Sequence, residues 1–238
     1  MSEPHAPEVM AITGTSRGIG REMAEHFALA GYLVEGCSRG EPTLDHPNYR
    51  HSTVDVRDEA QVRGWARAVK RRNGRVDVAV SNAGLVERGA LTAMMTLETF
   101  DAFVDAILRS TFLVCREFVK IMLPQGYGRI VNVGSIMTEL HAPGTAGYAS
   151  AKSAVVQLTK VLARELAETG ITCNVVSPSL VGTASTEALG EEWKQNMLAM
   201  QTMRRAITVG ELCNVVRFFA SRESGCVTGQ VVHTCLVD

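Results

Sequence analysis

The chain lacks any long hydrophobic run: nowhere in its 238 residues do the ~18–20 continuous apolar positions of a spanning helix occur. Its opening, MSEPHAPEVM, has neither the basic nor the apolar region of a secretory signal. Charge is nearly balanced, at −1, so bulk electrostatics single out neither nucleic acid nor a membrane surface as partner. Cysteine patterning is absent too. Cys37, Cys115, Cys173, Cys213, Cys226 and Cys235 are scattered, with no C-x-x-C and no histidine at metal-ligand spacing. Most lie in apolar segments, where cysteine behaves as a small hydrophobe; reduced thiols in the cytoplasm are expected, and no metal. No repeat, low-complexity tract or linker divides the chain. Residues 1–7 read as a disordered leader and 8–238 as one large domain.

Glu8 to Thr13 is a short apolar run that stops at Gly14-Thr-Ser-Arg-Gly18-Ile-Gly20. A helix follows, with Ile19, Met23, Phe27 and Ala30 on one face and Gly31 at its end. Strand, glycine turn and helix together are the context of a dinucleotide pyrophosphate site: glycines admit the phosphates to the backbone, and the helix start offers free N–H groups. Tyr32–Cys37 reads as the second strand. It ends in Cys37-Ser38-Arg39, without the acidic residue that usually holds the ribose 2′-hydroxyl of NAD. Arg39, joined by Arg17, would clamp a 2′-phosphate through planar, paired contacts, favouring NADP(H) over NAD(H). A third strand is expected over His51–Val56, with Asp55 placed to accept from an adenine amino group. Glu59–Arg72 reads as a solvated amphipathic helix, and Val76–Val80 as a strand entering Ser81-Asn82-Ala83-Gly84. This alternation predicts a parallel, doubly wound sheet with ligands at the carboxyl ends of its strands.

Glu98–Met122 predicts one long helix with a continuous apolar stripe from Phe100 through Ile107, Phe112 and Phe118 to Met122, ended by Pro124 and Gly126. Strand Arg129–Val133 leads to Ser135, then to a loop carrying Met137, Glu139 and His141, of which Met137 and His141 are candidate substrate contacts. A helix follows from Tyr148 to Gly170. Tyr148 and Lys152, four apart, share one face of that helix. A phenol that ordinarily titrates near ~10 becomes a useful proton donor when a nearby cation stabilises its phenolate. With Ser135 holding a carbonyl oxygen, these residues form a proton-transfer site for an alcohol/carbonyl pair. Ile171–Ser177 is the sixth strand, Thr186–Met203 an irregular segment suited to a lid (184–207) over substrate, Thr208–Glu211 a capping box, and Val231–Cys235 the closing strand.

In order along the chain, Thr13-Gly-x-x-x-Gly-x-Gly20, Asp55-Val56, Asn82-Ala-Gly84, Ser135, Tyr148-x-x-x-Lys152, Pro178 with Thr183, and Thr228-Gly229 resemble the classical short-chain dehydrogenase/reductases, near the 3-oxoacyl-carrier-protein reductase-like branch. The resemblance covers nearly the whole chain. It implies a Rossmann-type doubly wound sheet of about seven strands in an α/β/α sandwich, and catalysis by Ser135, Tyr148 and Lys152. It places the cofactor against Gly14, Ser16, Arg17, Gly18, Ile19 and Gly20, against Ser38 and Arg39, and against Asp55 and Val56. Further cofactor contacts are implied for Asn82, Ala83, Gly84, Tyr148, Lys152, Pro178, Val181 and Thr183. A small carbonyl or alcohol substrate and a homotetramer or homodimer are expected, with secondary metabolism as the setting.

Four positions depart from the family pattern. Ile107 stands where an asparagine usually holds a water that links the lysine to solvent. Pro178-Ser179 replaces Pro-Gly, and Cys235-Leu236-Val237 replaces Asp-Gly-Gly. Gly126 and Thr169 occupy positions where arginines of the fatty-acid reductases dock the carrier protein, which argues against a carrier-tethered substrate. These departures leave an alternative open: a cofactor-binding or structural partner of an active homologue.

Overall fold

Seven strands, all parallel, form one sheet in the order β3-β2-β1-β4-β5-β6-β7. They are β1 Val9–Thr13, β2 Leu33–Ser38, β3 Tyr49–Thr53, β4 Val78–Ser81, β5 Gly128–Val133, β6 Ile171–Ser177 and β7 Val231–His233. The computed structural model describes residues 6–85, 89–183, 186 and 190–237. Part of the expected leader (1–5) and part of the expected lid (184, 185, 187–189) lie outside the described residues. Strands β1, β4, β5 and β6 are buried along their whole length, because helices cover both faces; such strands carry continuous apolar runs rather than alternation. Helices α1 (Gly18–Leu29) and α8 (Val209–Ala220) close one face around Met23, Phe27, Leu212 and Phe219. Helices α2 (Glu59–Asn73), α4 (Ser110–Met122) and α6 (Ala146–Glu165) close the other around Trp65, Val69, Phe118 and Ala163. No helix among the described residues is long and apolar enough to cross a membrane.

Local signals account for most element ends. Asp58 caps α2 by accepting from Ala60 N and Gln61 N, and Gly74 ends that helix at φ +72°. The capping box of α8 is complete: Thr208 Oγ1 accepts from Glu211 N at 3.1 Å, and the Glu211 carboxylate accepts from Thr208 N at 2.9 Å. Each such cap satisfies helix-end N–H groups that would otherwise lack partners.

The structure corrects several expectations. The third strand runs over Tyr49–Thr53 rather than 51–56, because β2 sets its register from Val34 opposite Tyr49 to Ser38 opposite Thr53. Asp55 therefore lies in the turn before α2. The helix expected over 98–122 is three pieces: α3 (Leu97–Phe103), a π-helical segment Val104–Arg109, and α4. There the Ser110 N–H reaches back to Asp105 O, and its hydroxyl donates to Ala106 O at 2.7 Å. The buried side of the predicted stripe persists through the π-helical segment: Phe103, Ile107, Thr111, Cys115, Phe118 and Met122 are buried, while Phe100 and Phe112 are exposed. The helix containing Tyr148 ends at Glu165, five residues before Gly170, and Ala30 is an exposed cap residue beyond α1. Within the lid region, Glu191–Met200 is a regular helix, α7. The carbonyl of Cys235, itself in left-handed backbone at φ +55°, accepts from Thr202 N and Met203 N at the end of that helix.

Packing is tight where α1 leaves β1. A Cβ built on Gly20 would overlap the Gly14 carbonyl oxygen and the Asn82 side-chain amide, whereas one on Gly64, inside α2, meets nothing within 4 Å. Gly20→Ala is expected to cost about 1–3 kcal/mol, and Gly64→Ala to gain about 0.5–1 kcal/mol. Urea titration of the two variants checks both signs.

Candidate active site

The carboxyl end of β1 and the start of β4's turn are tied together by Thr13. Its hydroxyl accepts from Asn82 N and Ala83 N at 2.9 Å each, and its carbonyl accepts from Asn82 Nδ2 at 2.9 Å. The turn between them adopts left-handed backbone at Gly14 (φ +78°) and Gly18 (φ +56°), a conformation that glycine alone takes without strain. Arg17, at the head of α1, is extended and gives the helix no side-chain cap. The first-turn N–H groups of this 12-residue helix thus face the concavity formed by the glycines. The donor set and dipole suit a pyrophosphate, and the glycine cradle, which a Cβ at position 14 or 20 would crowd, suits close approach of one.

Around this cradle, Ser16 and Ile19 are half-buried, while Arg17 and Arg39 are exposed and, among the described residues, without an ion-pair partner. Ser38 is buried at the end of β2. Asp55 is paired within the protein. Both carboxylate oxygens are held by the Arg57 guanidinium at 2.6–3.2 Å, which lowers its pKa together with the Arg57 N–H. Val56 is half-buried beside it.

Ser135 sits just beyond β5 in a turn held on both sides. Gly134 N donates to Val176 O at 2.7 Å, and Ile136 N donates to Pro178 O at 3.1 Å. The Ser135 hydroxyl oxygen accepts from Met137 N at 3.2 Å. Tyr148 lies in the first turn of α6, its ring edge-to-face with Phe103 at 6.1 Å. Burial pushes the Tyr148 phenol up, and its hydrogen bond with Ser135 pulls it back down.

Lys152, one turn on, is buried, and its ammonium donates to Val133 O at 2.7 Å, 5.9 Å from the centre of the Tyr148 ring. Desolvation lowers the Lys152 pKa to about 8. A cation held against a strand-end carbonyl, in contact distance of the phenol ring, is positioned to support the phenolate once the phenol releases its proton. Ile107 is buried in the π-helical segment. An atom in the Cβ position of Gly84 would lie 3.9 Å from both Ile107 Cγ1 and Lys152 Nζ, so the aliphatic side chain and the ammonium converge on that glycine.

The loop after β6 joins the site from the other side. Val181 bridges Ile207, Thr183 is buried, and Thr186 Oγ1 donates to Val181 O at 2.6 Å. Ser179 takes no left-handed backbone; its N–H donates to Thr234 Oγ1 at 2.8 Å. Of the two candidate substrate contacts, Met137 is buried within the short helix α5 (Met137–Leu140), and His141 is exposed as its left-handed cap at φ +48°. Sequence reasoning missed three participants: the Thr13 clamp, the Val133 carbonyl, and a polar group of Thr15, Tyr49 and His51 beneath Ser38. Only the first had a local signal, a threonine ending a buried strand.

A doubly wound parallel sheet, with a phosphate-type glycine turn at its crossing point and a Ser/Tyr/Lys group on the neighbouring strand end, defines an α/β dinucleotide-binding architecture with a proton-transfer site. Residues 14–235 match a family model described as enoyl-(acyl carrier protein) reductase. The 3-oxoacyl-[acyl-carrier-protein] reductase FabG of Escherichia coli (strain K12) is 33% identical over 232 residues, 95% of each chain. Among solved structures, ElxO with NADP bound superposes with a TM-score of 0.90 at 26% identity, over 96% of this chain and 97% of that one. A variant of the actinorhodin polyketide ketoreductase with NADPH gives 0.87 at 30% identity, over 96% of both. The chain belongs to the classical short-chain dehydrogenase/reductase family, in the branch of the 3-oxoacyl-carrier-protein reductases.

Replacing Lys152 by Met is expected to stabilise the protein at neutral pH. Folding lowers the ammonium pKa from 10.5 to about 8, so the cost of burying charge is fully present below pH 8 and fades as pH rises toward 10.5. The gain at pH 7 should be roughly 1–3 kcal/mol, net of the lost bond to Val133 O, and should shrink above pH 8. Chemical denaturation of both proteins on either side of that pH reads the difference; a gain independent of pH contradicts the assignment.

Proposed function

We propose that the protein is an NADP(H)-dependent oxidoreductase acting on a ketone or the corresponding secondary alcohol. The observation that carries this reading is the convergence of Ser135, Tyr148 and Lys152 at the carboxyl end of β5, next to the glycine cradle. Bound in that cradle, the dinucleotide supplies or accepts the hydride. The Ser135 hydroxyl donates to the substrate oxygen and fixes its position. Tyr148 gives that oxygen a proton in reduction and takes it back in oxidation, and the Lys152 ammonium stabilises the phenolate that results. Arg17 and Arg39, exposed and unpaired, supply the cations that select a 2′-phosphate. Pro178, Val181 and Thr183 form the wall nearest the cofactor's amide end, and the segment through α7 covers the substrate.

Ile107 beside Lys152 leaves no side-chain polar atom at that position to hold a water, so the proton supply to Tyr148 takes another route or is slowed. The likeness to a polyketide ketoreductase supports a place in secondary metabolism, and the absence of arginine at positions 126 and 169 supports a free rather than carrier-tethered substrate. Ile107 also favours the second reading, a cofactor-binding partner without turnover. Tyr148→Phe separates the two. For an enzyme, turnover in a ketone screen with NADPH should fall by about 10²–10⁴-fold with NADPH binding retained; a partner protein would show no turnover to lose. Arg39→Ala should weaken NADPH roughly 10–100-fold and leave NADH nearly unchanged.

The outer face of α4 and α6 supports self-association. Val104, Leu108, Phe112 and Leu158 line an open apolar groove of about 310 Å³, and Phe112 is exposed within it; a contiguous apolar patch of this kind marks an interaction surface. We read this face as the subunit contact of a homodimer or homotetramer. Phe112→Asp is expected to shift the protein to monomer in size-exclusion chromatography with light scattering.

A further inference from the structure

A polar network that the proton-transfer chemistry does not use lies between the glycine turn and the end of β2. Tyr49 and His51 stand two apart on edge strand β3, so they project from one face of the sheet, in register with Val34 and Gly36 of β2. Gly36 makes the room: a Cβ there would lie 2.6 Å from both the Thr15 hydroxyl and the Tyr49 hydroxyl. The Tyr49 hydroxyl is 2.8 Å from Thr15 Oγ1 and 2.8 Å from His51 Nδ1. On its other side, His51 Nε2 is 3.0 Å from Gly40 O and 3.2 Å from Ser38 Oγ, and the Ser38 hydroxyl donates to the same carbonyl at 3.1 Å. One imidazole thus spans from a buried residue of the glycine turn to the segment that carries Arg39.

The network holds either charge state. A carbonyl oxygen only accepts, so Nε2 carries a proton throughout. With a neutral ring, Nδ1 accepts from Tyr49, whose oxygen accepts from Thr15. With a charged ring, Nδ1 donates to Tyr49, which turns its proton to Thr15, and Thr15 turns toward Cys37 O at 3.5 Å. Burial pushes the Tyr49 phenol up, so it stays a neutral hydroxyl in both. The charged groups near the ring are Arg39 just beyond β2, Arg17 from the glycine turn, and Arg21 from α1, which is paired to Glu25. The 40–48 connection adds Glu41, Asp45 and His46, and β3 itself adds Arg50, which is exposed and in register with Glu35. Glu35 is held by Arg72 and Asn73 of α2.

We propose that His51, oriented by Tyr49, is a specificity-determining positioning residue for the 2′-phosphate end of the dinucleotide site. It fixes Ser38 and Gly40 on either side of Arg39 through the contacts of its Nε2, and the preference for NADPH over NADH depends on that hold. This inference rests on the dinucleotide reading above.

The test is the dissociation constant of NADPH and of NADH, by cofactor fluorescence, for wild type, His51→Ala, His51→Gln and Tyr49→Phe, with circular dichroism verifying that each variant is folded. His51→Ala releases Ser38 and Gly40 and should lower the NADPH/NADH affinity ratio roughly fivefold. Tyr49→Phe should lower it several-fold, and His51→Gln, which keeps a neutral donor for the Gly40 carbonyl, should restore part of the loss. If His51→Ala keeps the wild-type ratio, the proposal is overturned. If wild type binds neither dinucleotide, the dinucleotide reading itself falls, an outcome distinct from NADPH binding that is indifferent to residue 51.

Discussion

The close approach of α1 to the turn after β4 is the constraint on which the site depends. Thr13 offers one hydroxyl to two successive N–H groups of that turn, and Gly20 lies so near the Gly14 carbonyl and Asn82 that no side chain fits between them. Two strands that cross over in opposite directions from the sheet's centre are thereby locked at their carboxyl ends. The crevice they leave is where parallel doubly wound sheets place their ligands, and here it is floored by helix-start N–H groups and walled by glycine backbone.

Opposed to this rigidity is an electrostatic cost. Lys152 holds an ammonium in a buried position with a backbone carbonyl as its recorded hydrogen-bond partner, and desolvation lowers its pKa to about 8. Burial likewise raises Tyr148. The same low-dielectric surroundings that make both ions expensive also strengthen their mutual attraction once the phenol ionises. A site that costs stability at rest and gains most when charge develops fits a proton-transfer role better than a structural one.

The polar stretch Tyr49–Thr53 shows how an edge strand can carry chemistry. A strand paired on one side only has no need of an apolar run, and none of its five residues is fully buried. Its alternate side chains are free to support the adjoining end of β2, where the cations Arg17 and Arg39 gather.

Much of this was legible in the residues. Buried parallel strands declare themselves as short apolar runs, as at Ile171–Ser177, and caps such as Asp58 and the Thr208–Glu211 box are read from neighbours in sequence. The four-residue spacing of Tyr148 and Lys152 specifies a shared helix face wherever that helix goes. Tertiary structure alone decided the rest. Register against β2 moved the third strand and took Asp55 out of it, since pairing depends on a partner distant in sequence. A π-helical segment at Val104–Arg109 interrupts the long helix, a change that periodicity cannot register because it assumes an unbroken turn. Arg57 claimed the Asp55 carboxylate, and Val133 offered Lys152 its carbonyl, because side-chain reach in three dimensions is set by packing. Local sequence determined which elements form and which residues share a face; the juxtaposition of those faces, and hence the charge states at the site, was decided by long-range packing.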